Sequence, residues 1–171
     1  MGAKTKPEGD FIFAPTQADK IKIGIVVSEW NKTITGALLN GCLETLKKYD
    51  ISLDQVEQKW VPGSFELALG AQWLIEYYNA DAVICLGCVI KGETPHFHYI
   101  SQTVAKNIGD LSLKYDRPVI FGVLTTENEP HALERAGGKS GNKGEDAAVA
   151  ALKMLQLKSD SKKAGRNIGF V

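Results

Sequence analysis

The sequence is poor in the features that mark specialised protein classes. Cysteine is scarce: three residues in a chain of 171, an odd number in a protein large enough to bury a core without staples. This argues against a disulfide framework and for a reducing, cytoplasmic setting. Excess charge is missing, since Lys+Arg 20 and Asp+Glu 20 give a formal net charge of +0. Such a chain has no global field with which to gather nucleic acid or an anionic membrane, so neither is an expected partner. Long apolar runs are missing too. The longest, Ala82 to Ile90, falls far short of the roughly 20 residues that cross a bilayer. The opening MGAKTKPEGD lacks the apolar core of a secretory signal, and Lys6 stands where a myristoylation motif wants Ser or Thr. Histidine is sparse: His96, His98 and His131 make no zinc spacing, and no metal site is expected. Cys85-x-x-Cys88 lies within an apolar strand pattern. There a three-residue step sends the thiols to opposite faces, as suits small buried hydrophobes better than redox or metal chemistry.

What remains is the make-up of one globular domain, 44% hydrophobic and 23% charged. Residues 1–20 read as a loose polar arm around one apolar patch, FIFAP, a candidate extra edge strand. Residues 21–157 form the domain, and 158–171 a polar, mobile tail. Within the domain, Lys22 to Val27, Val56 to Val61, Ala82 to Ile90 and Pro118 to Leu124 are compact apolar runs of strand length. Between them lie helical stretches. Thr33 to Tyr49 carries an apolar stripe of Ile34, Leu38, Leu39, Cys42 and Leu46; Ser64 is a candidate N-cap for a helix to about Tyr78; and Pro95 to Tyr115 has Ile100, Val104, Ile108 and Leu111 on one face. Glu127 to Ala136 and Glu145 to Leu157 close the domain as two further helices.

Alternation of apolar strands with helices implies right-handed crossovers and a parallel sheet covered on both sides, a three-layer α/β/α fold with four central strands. In such sheets ligands bind beyond the carboxyl ends of the strands. Four segments therefore share one edge: Ser28-Glu29-Trp30-Asn31, Val61 to Glu66, Lys91 to His96, and Thr125 to Asn128. They bring an aromatic plate, a carboxylate and a histidine together, which suits a flat, heteroatom-rich ligand. Thr94 fits an N-cap and Pro95 a first helical position, so His96 falls in a first turn beside unpaired N–H groups, where an anion binds and imidazole stays neutral. Each feature has a plainer reading beside it. On that reading Thr94-Pro95 is a helix cap, Trp30 a core residue, Glu66 and Arg135 complements to helix dipoles, and GGKSGNKG, Gly137 to Gly144 with Lys139 and Lys143, a flexible connector.

Taken in order and at these separations, VPGSFEL, CVIKGETPHFHYI, PVIFGVLT and RAGGKSGNKGEDAA resemble the lumazine synthases, enzymes of the penultimate step of riboflavin biosynthesis. The likeness runs from about Lys22 to Leu155. It implies a flavodoxin-like domain and a transferase that condenses 5-amino-6-ribitylaminouracil with 3,4-dihydroxy-2-butanone 4-phosphate, losing phosphate and water, with no cofactor. By the same resemblance, Trp30 stacks on the pyrimidine with Asn31 beside it. Ser64, Phe65 and Glu66 hold the ring and ribityl chain, and Cys88, Val89 and Ile90 line the site. Glu93 and Thr94 form the phosphate loop, Arg135 binds phosphate, and His96 moves protons. Phe121 and Lys143 reach in from a neighbouring subunit, so the minimal unit is a homopentamer, which some relatives pack into icosahedral shells. Two positions depart from the family pattern. His98 replaces an acidic residue, and Trp30 replaces a phenylalanine, which raises the expectation of flavin binding. Other outcomes of the same fold are an archaeal-type riboflavin synthase, or a non-catalytic flavin or lumazine-binding shell protein. The trio of Thr94, Arg135 and Lys143 favours the phosphate substrate.

Overall fold

The computed structural model describes residues 11–14 and 18–166. Its centre is a four-stranded sheet in the order β2-β1-β3-β4, built from β1 (Ile23–Ser28), β2 (Val56–Val61), β3 (Ala82–Ile90) and β4 (Val119–Thr126). Every pairing is parallel: Ile23 meets Val56 on one side and Ala82 on the other, and Val83 meets Val119. Parallel neighbours need crossovers, and the intervening helices supply them. These are α1 (Lys32–Lys48), α2 (Leu67–Glu76) and α3 (His96–Tyr115). A short α4 (Glu129–Leu133), a hairpin of β5 (Ala136–Gly138) and β6 (Gly141–Asn142), and α5 (Lys143–Arg166) complete the chain.

The strand side chains alternate between two separate cores. Ile23, Ile25, Val27, Ile84, Leu86 and Leu124 pack with α1 and α5, whereas Val26, Val83, Val119 and Val123 pack with α2 and α3. Both faces of the sheet are thus dry, which is why β1 and most of β3 read as unbroken apolar runs. Each fully buried Ile, Leu or Val contributes about 1.5–3 kcal/mol by leaving water. Cys85 belongs to the α2/α3 core and Cys88 to the α1/α5 core, the opposite-face placement that strand geometry requires. Ala148 and Ala151, without accessible surface, let α5 approach the sheet closely. At its outer edge β2 carries Glu57 and Lys59, paired at 2.6 Å; charges of this kind discourage further strand pairing.

Several expected elements differ from those observed. Residues 11–14 form no strand; Phe11 and Phe13 pack against the α1/α5 core, Phe11 lies 5.5 Å from the Tyr49 ring, and the Ala14 N–H donates to Gln156 Oε1 at 2.9 Å. An apolar arm with an aromatic surface within reach gains more from packing than from a two-residue ladder. Ser64 does not cap a continuous helix. It opens a 3-10 turn, Ser64–Glu66, after which α2 runs only to Glu76. The helix expected over Glu127 to Ala136 shrinks to α4, because the Asn128 side chain accepts the His131 N–H at 2.9 Å and so sets its start. The glycine-rich stretch is an ordered hairpin, with Gly137 and Gly141 at φ 115° and 75°, angles that only glycine adopts without strain. Helix α5 starts at Lys143 rather than Glu145 and continues through the residues expected as a tail, to Arg166. Gln156 donates to Asp160 one turn on, and Lys158 pairs with Asp116 at 2.9 Å, so helical spacing organises side chains whose composition alone reads as a linker. Residues 167–171 lie outside the described residues, as do 1–10 and 15–17.

Candidate active site

The order of the sheet places a crevice between the carboxyl ends of β1 and β3, because the chain leaves β1 toward β2 on one side and leaves β3 toward β4 on the other. A cavity of about 420 Å³ opens there, lined by Trp30 and Asn31 after β1, Gly63 to Phe65 after β2, Cys88 to Ile90 and Gly92 along β3 and its loop, then Thr94, His96, Phe97 and Ile100. Its size suits a small organic ligand.

The wall after β1 is rigidly built. The Glu29 and Trp30 N–H groups donate to the Val61 and Pro62 carbonyls at 2.8 and 3.2 Å. Asn31 sits in the left-handed region at φ 59° and donates through Nδ2 to the Cys88 carbonyl at 3.1 Å. The Thr35 hydroxyl donates to the Ser28 carbonyl at 2.8 Å. Backbone so anchored carries an indole that is 73% exposed. A tryptophan left in solvent on a fixed loop is a plate awaiting a partner rather than part of the core. Ser64, which lines the same cavity, is 6% exposed, and its Oγ has no hydrogen-bond partner among the described residues. Such a group loses water without replacing it unless a ligand supplies the bond.

The helix start that bears His96 differs from the expected cap. Pro95, not Thr94, occupies the N-cap position and supplies no side-chain cap; the His98 N–H donates to the Pro95 carbonyl at 3.0 Å, and Thr94 lines the cavity. Cys88 is no nucleophile: burial, with the Glu129 carboxylate adding to it, pushes its thiol up to about 11, and the neutral form is unreactive. The other two thiols, Cys42 and Cys85, are raised to about 12 by burial. Among the described residues no cluster of His, Cys, Asp or Glu could hold a metal ion.

Nine of the expected site residues line this one cavity: Trp30, Asn31, Ser64, Phe65, Cys88, Val89, Ile90, Thr94 and His96. Five do not: Glu66, Glu93, Phe121, Arg135 and Lys143. Glu66 Oε2 accepts the Gly63 N–H at 2.9 Å, stapling the turn that presents Ser64 and Phe65. Phe121 is 42% exposed on the β4 edge. Arg135 donates to the His131 carbonyl at 2.9 Å, and Lys143 pairs with Asp146 at 2.7 Å. Among the described residues of one chain, no Lys or Arg lines the cavity. His98 stays outside as well, its ring edge-on to Phe97 at 5.4 Å. Phe97 and Ile100 are lining residues that sequence reasoning missed; their place one and four residues after His96 in the same helix was the available signal.

A model of the 6,7-dimethyl-8-ribityllumazine synthase family matches residues 20–159. The chain belongs to that family. Among its curated relatives, the 6,7-dimethyl-8-ribityllumazine synthase of Cytophaga hutchinsonii is 56% identical over 132 residues, 77% of this chain and 83% of the relative. That of Parabacteroides distasonis is 50% identical over 150 residues, 88% of this chain and 93% of the relative, and that of Bacteroides fragilis is 50% identical over 137 residues, 80% and 96% respectively. The cavity and the family match meet on the same residues. All of the lining falls within the matched span.

Proposed function

We propose that the protein condenses 5-amino-6-ribitylaminouracil with 3,4-dihydroxy-2-butanone 4-phosphate to give 6,7-dimethyl-8-ribityllumazine, in the cytoplasm and without a cofactor. The observation that carries this reading is the cavity at the β1/β3 crevice, lined both by the exposed Trp30 and by Ser64, whose hydroxyl has no hydrogen-bond partner among the described residues. A planar pyrimidine stacks on the indole, and its polar substituents meet Ser64 and the turn carrying Phe65 and Glu66. Thr94 and the uncapped start of α3, beside Glu93, receive the phosphate end of the second substrate.

The reaction asks for placement more than for a strong nucleophile. The pyrimidine amine attacks the ketone and loses water to form an imine, phosphate leaves by elimination, and ring closure expels a second water. Holding two substrates in contact accelerates such steps, and His96 at the cavity wall moves protons among the intermediates. A dianionic leaving group still needs cations, and the described residues of a single chain offer none in the cavity. Arg135 and Lys143 supply them, with Phe121, from a neighbouring copy, which makes a homopentamer the minimal active unit. Exposure of Phe121 and the absence of Lys and Arg from the lining both support a site shared between subunits.

Incubating the purified protein with both substrates tests the reading directly. Lumazine fluorescence with matching phosphate release supports it. Turnover of lumazine alone would assign a riboflavin synthase activity instead, and binding without turnover would assign a carrier or shell role.

A further inference from the structure

Arg135 and Lys143 are held by little of their own. Their side-chain ties, Arg135 to the His131 carbonyl and Lys143 to Asp146, are exposed and so contribute little rigidity. What places the two cations is the hairpin between them. Ala136 pairs with Asn142, and the Lys143 N–H donates to the Arg135 carbonyl at 2.8 Å, so the two residues lie side by side at its open end. We propose that Asn142 is the positioning residue for this pair, pinning the hairpin to α1. The inference rests on the phosphate reading given above.

Asn142 is 8% exposed, a buried amide on a two-residue strand. Its Nδ2 donates to the Ala37 carbonyl of α1 at 2.9 Å, and its Oδ1 accepts the Gly144 N–H at 2.8 Å. One side chain thus ties the hairpin to α1 and caps the N-terminus of α5 from the residue before Lys143. The Ala37 carbonyl is also the helical acceptor for Gly41, and a carbonyl has two lone pairs with which to serve both donors. The slot that admits the amide exists because two side chains are missing. A Cβ on Gly41 would lie 2.4 Å from Asn142 Nδ2, and one on Gly144 would lie 1.9 Å from the Leu38 carbonyl oxygen. Both glycines serve the approach of this hairpin to α1. The cluster is more elaborate than ending a loop requires, and the residues on either side of it are the phosphate cations.

Steady-state kinetics on the full oligomer test the proposal. Asn142→Ala is expected to raise KM for the butanone phosphate about tenfold, leaving kcat and KM for the pyrimidine within about threefold, since misplaced phosphate ligands weaken binding of that substrate alone. Gly41→Ala, on a helix that touches no substrate, is expected to give the same selective rise by evicting the amide. Combining it with Asn142→Ala is expected to add nothing, because the colliding atoms are gone. Asn142→Asp keeps the acceptor for Gly144 but turns a carboxylate toward the Ala37 carbonyl. Protonation restores the donor, so its KM relative to wild type is expected to fall as pH drops from about 8 to about 5.5. This variant carries the test if Asn142→Ala does not fold. Equal effects on both substrates, additive effects of the two Ala substitutions, or a flat relative pH profile would overturn the proposal. Titration of inorganic phosphate into wild type and Arg135→Ala separates the two layers: if binding does not depend on Arg135, the phosphate reading fails and the proposal falls with it. If it does, while Asn142 variants keep wild-type KM values, only the role of Asn142 is lost.

Discussion

Asn31 lets the cavity wall be tested through two opposing energies in one residue. It lies in the left-handed region, φ 59° and ψ 45°, and its Nδ2 donates to the Cys88 carbonyl at 3.1 Å. Replacement by Gly removes the hydrogen bond, a net loss of about 0.5–1.5 kcal/mol, but relieves the conformational cost that a side chain bears there. The two effects nearly cancel. Replacement by Ala loses the same bond and adds strain, since a Cβ without a local polar contact costs about 1–2 kcal/mol in this region. Asn31→Ala is therefore expected to destabilise by about 1.5–3.5 kcal/mol and Asn31→Gly by less than about 1 kcal/mol, from those same terms. Urea unfolding at one fixed protein concentration, followed by circular dichroism, measures the difference; fixing the concentration matters because association contributes to the apparent stability. Both variants free the loop behind Trp30, so both should raise KM for the pyrimidine substrate and shift indole emission toward the red. If Ala and Gly are equally destabilising, the backbone at Asn31 is not strained as argued. If both leave the pyrimidine KM unchanged, the loop does not position Trp30.

Other expectations follow from the same geometry. His96→Ala should lower turnover without abolishing it, while Arg135→Ala should do greater damage through KM for the phosphate substrate; kinetics giving the reverse order would sink these roles. Mixing Trp30→Ala with Arg135→Ala subunits by joint refolding should restore activity to part of the sites, because a mixed interface can unite one intact half from each; no recovery would place both residues in one subunit's site. Trp30→Phe should weaken flavin binding measured by fluorescence titration, and equal affinities would remove the indole as the cause. The thiols give a pH test. Burial raises Cys42 and Cys85 to about 12 and Cys88 to about 11 from an ordinary 9.0. The unfolded chain therefore loses these protons first as pH rises. Stability from this source is complete below pH 9 and declines between about pH 9 and 12, while a thiol reagent at pH 8 should label the native protein slowly and the urea-unfolded protein fast.

Much of the fold was legible because its central strands, β1 and β3, are buried on both faces. Continuous β-branched runs such as Lys22 to Val27 and Ala82 to Ile90 have few other readings when helical stripes separate them, and β2 and β3 lie within the residues expected. The helix stripe on α1 was equally direct: Ile34, Leu38, Leu39, Cys42 and Leu46 are all buried. Elements stabilised by contacts distant in sequence were not legible. The glycine-rich hairpin takes its shape from Asn142 reaching Ala37 across 105 positions of sequence. The last turns of α5 are polar, and Lys158 finds its partner in Asp116. The segment FIFAP reads as a candidate edge strand because it is a short apolar patch, but Phe11 and Phe13 pack against the α1/α5 core instead.

By itself the sequence determined the alternation of strands and helices, the sheet edge that carries the chemistry, and the residues that gather there, because periodicity and the succession of elements are properties of neighbours along the chain. Only the tertiary structure divided those residues into two groups. Trp30, Ser64, Thr94 and His96 share one cavity, while Phe121, Arg135 and Lys143 stand apart from it. That division depends on where the hairpin is pinned and which way β4 turns its edge, and both are decided by packing between segments far apart in sequence.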